Sequence, residues 1–459
     1  MSLRNKEKGF AASLISIALP IAGQNLISNA VGLTDTLMIG TLGEDAISAT
    51  SLANKYIFIF SLVMFGIVSG ANVLAAQYWG KKDTDSIGKI IAIALKLSTI
   101  TGLLFCMAAL FVPEYIMLIF TDDKSVIELG AVYLRIVAPA ILCNAITFTY
   151  VACLRSVEKV GIGIATQAQS FFINLIVNAL LIFGLFGLPK LGVAGAAIGV
   201  LAARIAEAVV TIIYAKFNKL VKVRLKDIIK SDRRLMKDFF KYSAPVVANE
   251  TLWGLGSSMH SVIYGHISTS VVAAFNVVSS IQNVLTVVGF GVSSAAAVII
   301  GKSVGQSMII RAKKEAKLLV LISAIFGVIE AGLVMGVRSF AFEIGIFDME
   351  QSTIELMKGM MILTAGFVLF QTVNCTIVVG ILRGGGDTRF AFVLDTCFMW
   401  LMSIPLGAAV AFILKAPPLV VMGSLYLEEV FKAIIGLVRM RSGKWITNLT
   451  RGRSAIENT

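Results

Sequence analysis

Leu19-Pro20-Ile21-Ala22-Gly23-Gln24-Asn25-Leu26-Ile27-Ser28-Asn29, running on through Thr34-Asp35 to Met38-Ile39-Gly40, decides the fold. The stretch is apolar enough to span a bilayer, yet it carries a carboxylate, a glutamine and two asparagines. In hydrocarbon such groups are costly and face a protein-lined, watery cavity. The pattern returns 225 residues later as Ala244-Pro245-Val246-Val247-Ala248-Asn249-Glu250, then Ser257-Ser258-Met259-His260, then Tyr264-Gly265. We read the chain as two copies of one bundle built behind this helix, with a cavity between them.

The repeat extends well beyond the opening helix. At an offset of 225, Pro20 meets Pro245, Gly40 meets Gly265, Gly66 meets Gly291 and Gly80 meets Gly305. Farther on the offset becomes 228, and Cys153-Leu154-Arg155 corresponds to Ile381-Leu382-Arg383. Hydrophobic residues make up 57% of the 459 residues and charged ones only 15%, and the mean hydropathy is +0.87. A soluble chain of this length needs more polar surface, so the composition is that of a polytopic membrane protein. At ~20 apolar residues per span, twelve spans are predicted. The first half gives 11–39, 51–78, 89–112, 126–153, 161–188 and 192–216; the second gives 238–265, 271–300, 316–338, 354–381, 390–414 and 418–440. An even number of spans per half makes the repeats parallel, related by an axis along the membrane normal. The predicted fold is therefore an all-α polytopic membrane protein, twelve transmembrane helices in two pseudo-symmetric six-helix lobes around a central cleft. The lobes are residues 1–217 and 238–459, and the basic segment 218–237 joins them, with an interfacial amphipathic helix expected within it.

The net charge of +13 invites a nucleic-acid partner, but its placement argues against one. Lys81, Lys82, Lys89, Arg155, Lys159, Lys302, Arg311, Lys313, Lys314, Arg383 and Arg389 fall in alternate loops, as do both termini and the linker. The opposite loops hold little beyond Lys124, Lys190 and Lys415. This is the positive-inside bias, with both termini cytoplasmic in a multi-pass inner-membrane protein that also contacts lipid. The first span is too long, and lacks a cleavage site, to read as a secretory signal peptide. The five cysteines, Cys106, Cys143, Cys153, Cys375 and Cys397, lie within spans, without metal-ligand spacing.

The polar residues inside the spans are the candidate site. Asp35 lies roughly 36 Å along the first helix at 1.5 Å per residue, on a face shared with Ser28, Val31 and Gly32. Glu250 lies about 18 Å into the seventh span, followed on one face by Trp253, Ser257, His260 and Tyr264. The eighth span adds Asn276, Ser279, Ser280, Asn283 and Thr286, and the tenth adds Gln371, Thr372 and Asn374. A carboxylate among hydroxyl and amide oxygens can hold a dehydrated monovalent cation such as Na⁺ at Glu250, or can take up a proton. His260 occupies the repeat position of Asp35, and its titration range keeps it open to proton coupling. Asp395 in the eleventh span has Gln167 as its repeat partner. Arg204 with Glu207, and Glu429 with Lys432, read as structural i,i+3 pairs. Glu330 has no evident partner. Gln24, Asn25, Trp253, Ser257, Asn276, Asn283, Gln371 and Asn374 are the expected lining of a substrate cleft. Catalytic constellations, nucleotide loops and Cys/His clusters are missing from the sequence, so the chain reads as a non-enzyme that needs no cofactor beyond a coupling ion.

LPIAGQNLISNAVGLTDTLMIGTLGEDAISA in the first helix and its loop resembles the multidrug and toxic compound extrusion (MATE) family. So do AAQYWGKKD, NALLIFGLFGLPKLGVAGAAIG, LRGGGDTRF and the C-terminal RMRSGKW, and together they cover nearly the whole chain. The resemblance implies twelve helices in two lobes and Na⁺- or H⁺-driven export of organic cations and other drugs. By position, Asp35 matches the acid of the family's N-lobe ion site and Asn174 a helix 5 partner. The chain departs from the DinF-type branch in having Asn178 where a second aspartate stands and Val200 where a threonine stands. Glu250 resembles the C-lobe acid of NorM-type members, and the second acid there is Asp387 or Asp395. The expected activity is a secondary-active, monomeric antiporter acting on amphipathic or cationic small molecules. Two alternatives stand beside this reading. A lipid-linked oligosaccharide flippase of the same superfamily would call for extra spans or a strongly cationic cleft. An integral membrane enzyme would call for an Asp-rich or His/Asp motif on a cytoplasmic loop.

Overall fold

The computed structural model describes residues 3–343 and 350–450, and among these the regular structure is entirely helical. The helices are α1 Leu3–Gly40, α2 Glu44–Gly80, α3 Thr84–Phe111, α4 Lys124–Leu154, α5 Gly161–Phe183, α6 Val193–Phe217 and α7 Arg233–Ile267. They continue with α8 in two segments, Thr269–Leu285 and Val287–Gly305, then α9 Ile309–Glu343 and α10 Gln351–Cys375 with a wider π-helical end Thr376–Leu382. α11 runs over residues 388–413 with two π-helical stretches, Phe398–Ser403 and Ala409–Ile413, and α12 comprises Pro418–Tyr426 and Glu428–Ser442.

Ten of these helices are long and apolar enough to cross a membrane. α7 and α12 complete the expected twelve. α7 is diluted by polar groups, Asn249 and Glu250 among them, and α12 is broken at Leu427 into two segments of 9 and 15 residues. α5 stops earlier than its apolar pattern suggested. Gly184 adopts φ +69° and ends the helix, because glycine takes the left-handed conformation without a Cβ clash. In the basic linker the helix is only Leu225–Ile229, and α7 already begins at Arg233.

The described helices form two compact units that do not follow the two halves of the sequence. The first contains Met1–Ala22, Ala76–Lys82 and Ala248–Thr459; the second contains Gly23–Ala75 and Asp83–Val247. α1 changes unit after Ala22 and α7 after Val247, positions separated by the repeat offset and each just past Pro20 or Pro245. A proline cannot donate to the carbonyl four residues earlier, so the helix is weakest there. Each N-terminal segment packs onto the partner repeat's second helix at a repeat-related glycine. In the first unit a Cβ on Gly291 would lie 2.7 Å from the Ala18 carbonyl oxygen. In the second, a Cβ on Gly66 would lie 2.6 Å from Val247 Cα.

The chain's last described segment is also tied down. Gly443 (φ +70°) turns it back, and Trp445 is fully buried, its indole N–H donating to Met440 O at 2.8 Å. Thr447 N donates to Gly385 O at 2.8 Å, and Leu449 N to Gln77 Oε1 at 2.7 Å. A Cβ on Gly385 would sit 2.3 Å from the indole ring, so the Gly384-Gly385-Gly386 turn is the seat of Trp445.

Candidate functional site

In the second unit, Ser28, Gly32 and Asp35 fall on one face of α1 because they are spaced by four and three residues. All three line a cavity of about 510 Å³, joined by Tyr133 from α4, Asn174 from α5 and Arg204 from α6. That volume lies within the ~300–1,000 Å³ typical of small-molecule sites. Asn178 Nδ2 donates to Asp35 Oδ1 at 2.8 Å and to Asn174 Oδ1 at 3.1 Å. Asn174 and Asn178 are one helical turn apart, so α5 presents both amides together. Gly199 of α6 admits this pair: a Cβ there would lie 1.8 Å from Asn178 Oδ1. Arg204 is neutralised within its own helix by Glu207 at 2.7 Å, as the spacing predicted.

A second cavity of about 230 Å³ shares Ser28, Phe60, Asn144, Gln167 and Arg204 with the first, and adds Gln24, Asn25 and Arg155. Gln24 is buried and held by both ends of its amide. Its Nε2 donates to Val160 O at 3.2 Å, and its Oε1 accepts from Arg155 Nη2 at 2.7 Å.

The first unit carries a different arrangement. Glu250 meets Arg383 at 2.7 Å, and Arg383 is almost fully buried. Asp395 accepts from Lys432 at 2.8 Å and from Asn249 Nδ2 at 3.0 Å. Lys432 also meets Glu428 at 3.2 Å. The pairing expected between Glu429 and Lys432 is therefore replaced by one with Glu428. Glu429 turns instead to Asn374, whose Nδ2 donates to it at 2.6 Å. A residue four positions back on a helix reaches Lys432 as readily as one three back, and only the neighbouring helix decides between them.

The remaining candidates are dispersed. Gln371 accepts from Gln282 at 2.6 Å. His260 Nε2 lies 3.1 Å from Ser403 Oγ. Asp387, at the start of α11, is held by Arg439 at 2.8 Å. Trp253, Ser257, Asn276 and Asn283 are exposed, whereas Asn374 is buried. Thus the structure joins Asp35 with Asn174 and Asn178, and links Asn249 and Asp395 to Lys432. A Na⁺ at Glu250 would share the carboxylate with a guanidinium. Among the described residues no three His, Cys, Asp or Glu side chains cluster to hold a metal ion.

Two groups escaped the sequence reading. Glu330 of α9 is buried, accepts a hydrogen bond from the Thr372 hydroxyl and receives the Gly289 N–H at 3.2 Å. That N–H is free because α8 is interrupted at Thr286, leaving first-turn amides of the next segment without helical acceptors. An acid in mid-span with no helical neighbour of opposite charge was the available signal. Arg383 was the other. In sequence it reads as a loop charge equivalent to Arg155, and the structure sets it against Glu250.

The MatE family model matches residues 20–180 and 245–409. The chain is 24% identical to a probable multidrug resistance protein, YoeA, of Bacillus subtilis, over 88% of this chain and 86% of that one. It is 23% identical to a probable multidrug resistance protein, NorM, of Thermotoga maritima, over 94% of this chain and 92% of that one. A solved structure described as MATE in the straight conformation superposes with a TM-score of 0.84 at 15% identity, covering 97% of each chain.

Proposed function

Because this chain belongs to the MatE family, we propose that it is a secondary-active efflux antiporter, exporting amphipathic or cationic small molecules in exchange for Na⁺ or H⁺ by alternating access. The observation that carries the reading is Asp35, a carboxylate on the wall of a drug-sized cavity, fixed by the Asn178 amide. A carboxylate so placed is costly within a membrane span and marks an ion pathway. Support comes also from the relatives named as multidrug resistance proteins and from the matching of the family model to both halves.

In this reading Asp35 takes the coupling cation or proton, and Asn174 and Asn178 hold its carboxylate in place. Cargo and cation compete for the same negative charge, so uptake of the cation on the outer side releases the cargo. Glu250 is the second coupling candidate, and it acts by exchanging Arg383 for the incoming cation. The duplicated halves 1–217 and 238–459 supply the lobes, with α1 dividing after Ala22 and α7 after Val247. The charge bias of the loops supports an inner-membrane protein with both termini cytoplasmic, and a cleft complete within one chain supports a monomer.

The test is ethidium accumulation in cells expressing wild type, Asp35→Asn or Glu250→Gln at matched membrane abundance, with a Na⁺ or a proton gradient imposed alone. Export by wild type under one gradient, lost in Asp35→Asn, is the expected result. Full export by both variants overturns the assignment of the coupling residues, and no gradient-dependent export by wild type overturns the function.

A further inference from the structure

The two repeats differ in how they treat one arginine. Arg383 of the second repeat is matched by Glu250 at 2.7 Å. Its repeat counterpart Arg155 makes one side-chain bond, to the neutral Gln24 Oε1 at 2.7 Å. Among the described residues no ion pair is found for Arg155, and its Nε is buried without a hydrogen-bond partner. The cause is legible in the register: at the offset of 225, the position of Glu250 is taken by Asn25.

Arg155 and Asn25 both line the cavity of about 230 Å³, which shares Ser28, Phe60, Asn144, Gln167 and Arg204 with the one holding Asp35. Of the other charged groups in the smaller cavity, Arg204 and Glu207 cancel each other at 2.7 Å. A guanidinium has five donors in a planar fork that matches a carboxylate. A buried cation without a counter-ion is unfavourable unless a ligand supplies one. Gln24, bonded to Arg155, precedes Asp35 by eleven residues on α1, about 17 Å at the helical rise.

We propose that Arg155 is a carboxylate-accepting subsite, so that the cavity of the second unit takes zwitterionic cargo with its anionic group at Arg155 and its cationic group toward Asp35. This rests on the reading of that cavity as the cargo site. Phe60, Met64 and Phe148 supply apolar lining to the smaller cavity, and Phe60 lines the larger one as well.

The experiment uses two dyes that differ by one group: rhodamine 110, which bears a free carboxylate, and rhodamine 123, its methyl ester. Binding to the purified full chain in lipid nanodiscs is read by fluorescence anisotropy. Arg155→Gln should weaken rhodamine 110 by roughly ten- to a hundredfold, the range for a hydrogen bond to a charged group, and leave rhodamine 123 within about twofold. Asn25→Glu is the second variant. It recreates the ion pair of the second repeat, keeps Arg155, and should cost rhodamine 110 a comparable factor even if Arg155→Gln fails to fold. Equal binding of both dyes by wild type, or rhodamine 110 affinity unchanged in Asn25→Glu, overturns the subsite and leaves the cargo reading standing. A wild type that binds neither dye removes the cargo reading and the subsite with it.

Discussion

Replacing Lys432 with methionine should be among the most damaging single changes in the first unit, and the structure gives its size. Lys432 is almost fully buried and is the cation between Asp395 at 2.8 Å and Glu428 at 3.2 Å. At an effective dielectric near 20, those contacts correspond to about 6 and about 5 kcal/mol of Coulomb attraction. Desolvation of the three charges offsets most of this, so the net value of the cluster is small while the cost of breaking it is large. Lys432→Met leaves two buried carboxylates facing each other and should cost about 3–5 kcal/mol. Asp395→Asn behaves differently. It leaves Lys432 with one partner, Glu428, so the charge stays balanced, and the Asn249 contact can persist as an amide–amide bond. The expected cost there is about 1 kcal/mol, that of an ordinary hydrogen bond. The double variant, which removes one charge of each sign, should lie above Lys432→Met in stability. Unfolding of the purified protein in lipid nanodiscs, followed by tryptophan fluorescence, ranks the three. If Lys432→Met proves as stable as Asp395→Asn, the cluster is not held by charge balance and the argument fails.

Asn178→Ala should impair dye export more than Asn174→Ala, because Asn178 makes the 2.8 Å bond to Asp35 and also holds the Asn174 amide; equal effects at matched abundance would count against this. Gly66→Ala and Gly291→Ala should each destabilise by about 1–3 kcal/mol, since backbone atoms of Val247 and Ala18 block the new methyl group. Similar losses in nanodisc unfolding are expected from the two sites, because they are repeat partners. Trp445→Ala should cost about 3–5 kcal/mol for emptying a fully buried indole site, and limited proteolysis should then cut the C-terminal segment sooner than in wild type.

Much of the molecule was legible from one dimension. Span count, duplication, membrane class and the choice of Asp35 and Glu250 as candidates follow from apolar length and from the cost of a carboxylate in hydrocarbon. These are local quantities, readable from each stretch without its neighbours. The amide partners Asn174 and Asn178 entered through family resemblance, and the structure places them beside Asp35. What the sequence could not decide was pairing. Lys432 has Glu428 and Glu429 within reach on its own helix, and Asp395 on α11 takes part in settling which it meets. Glu330 looked orphaned until α8, interrupted at Thr286, offered the Gly289 amide. The exchange of α1 and α7 segments between units at Pro20 and Pro245 depends on packing against glycines far away in the chain. Arg155 and Arg383 are equivalent in sequence, and the three-dimensional contacts show which side chain each one meets, Gln24 for Arg155 and Glu250 for Arg383. Burial and patterning act through each residue's own chemistry, whereas ion pairing depends on distances of a few ångströms between helices, which no stretch of sequence specifies alone.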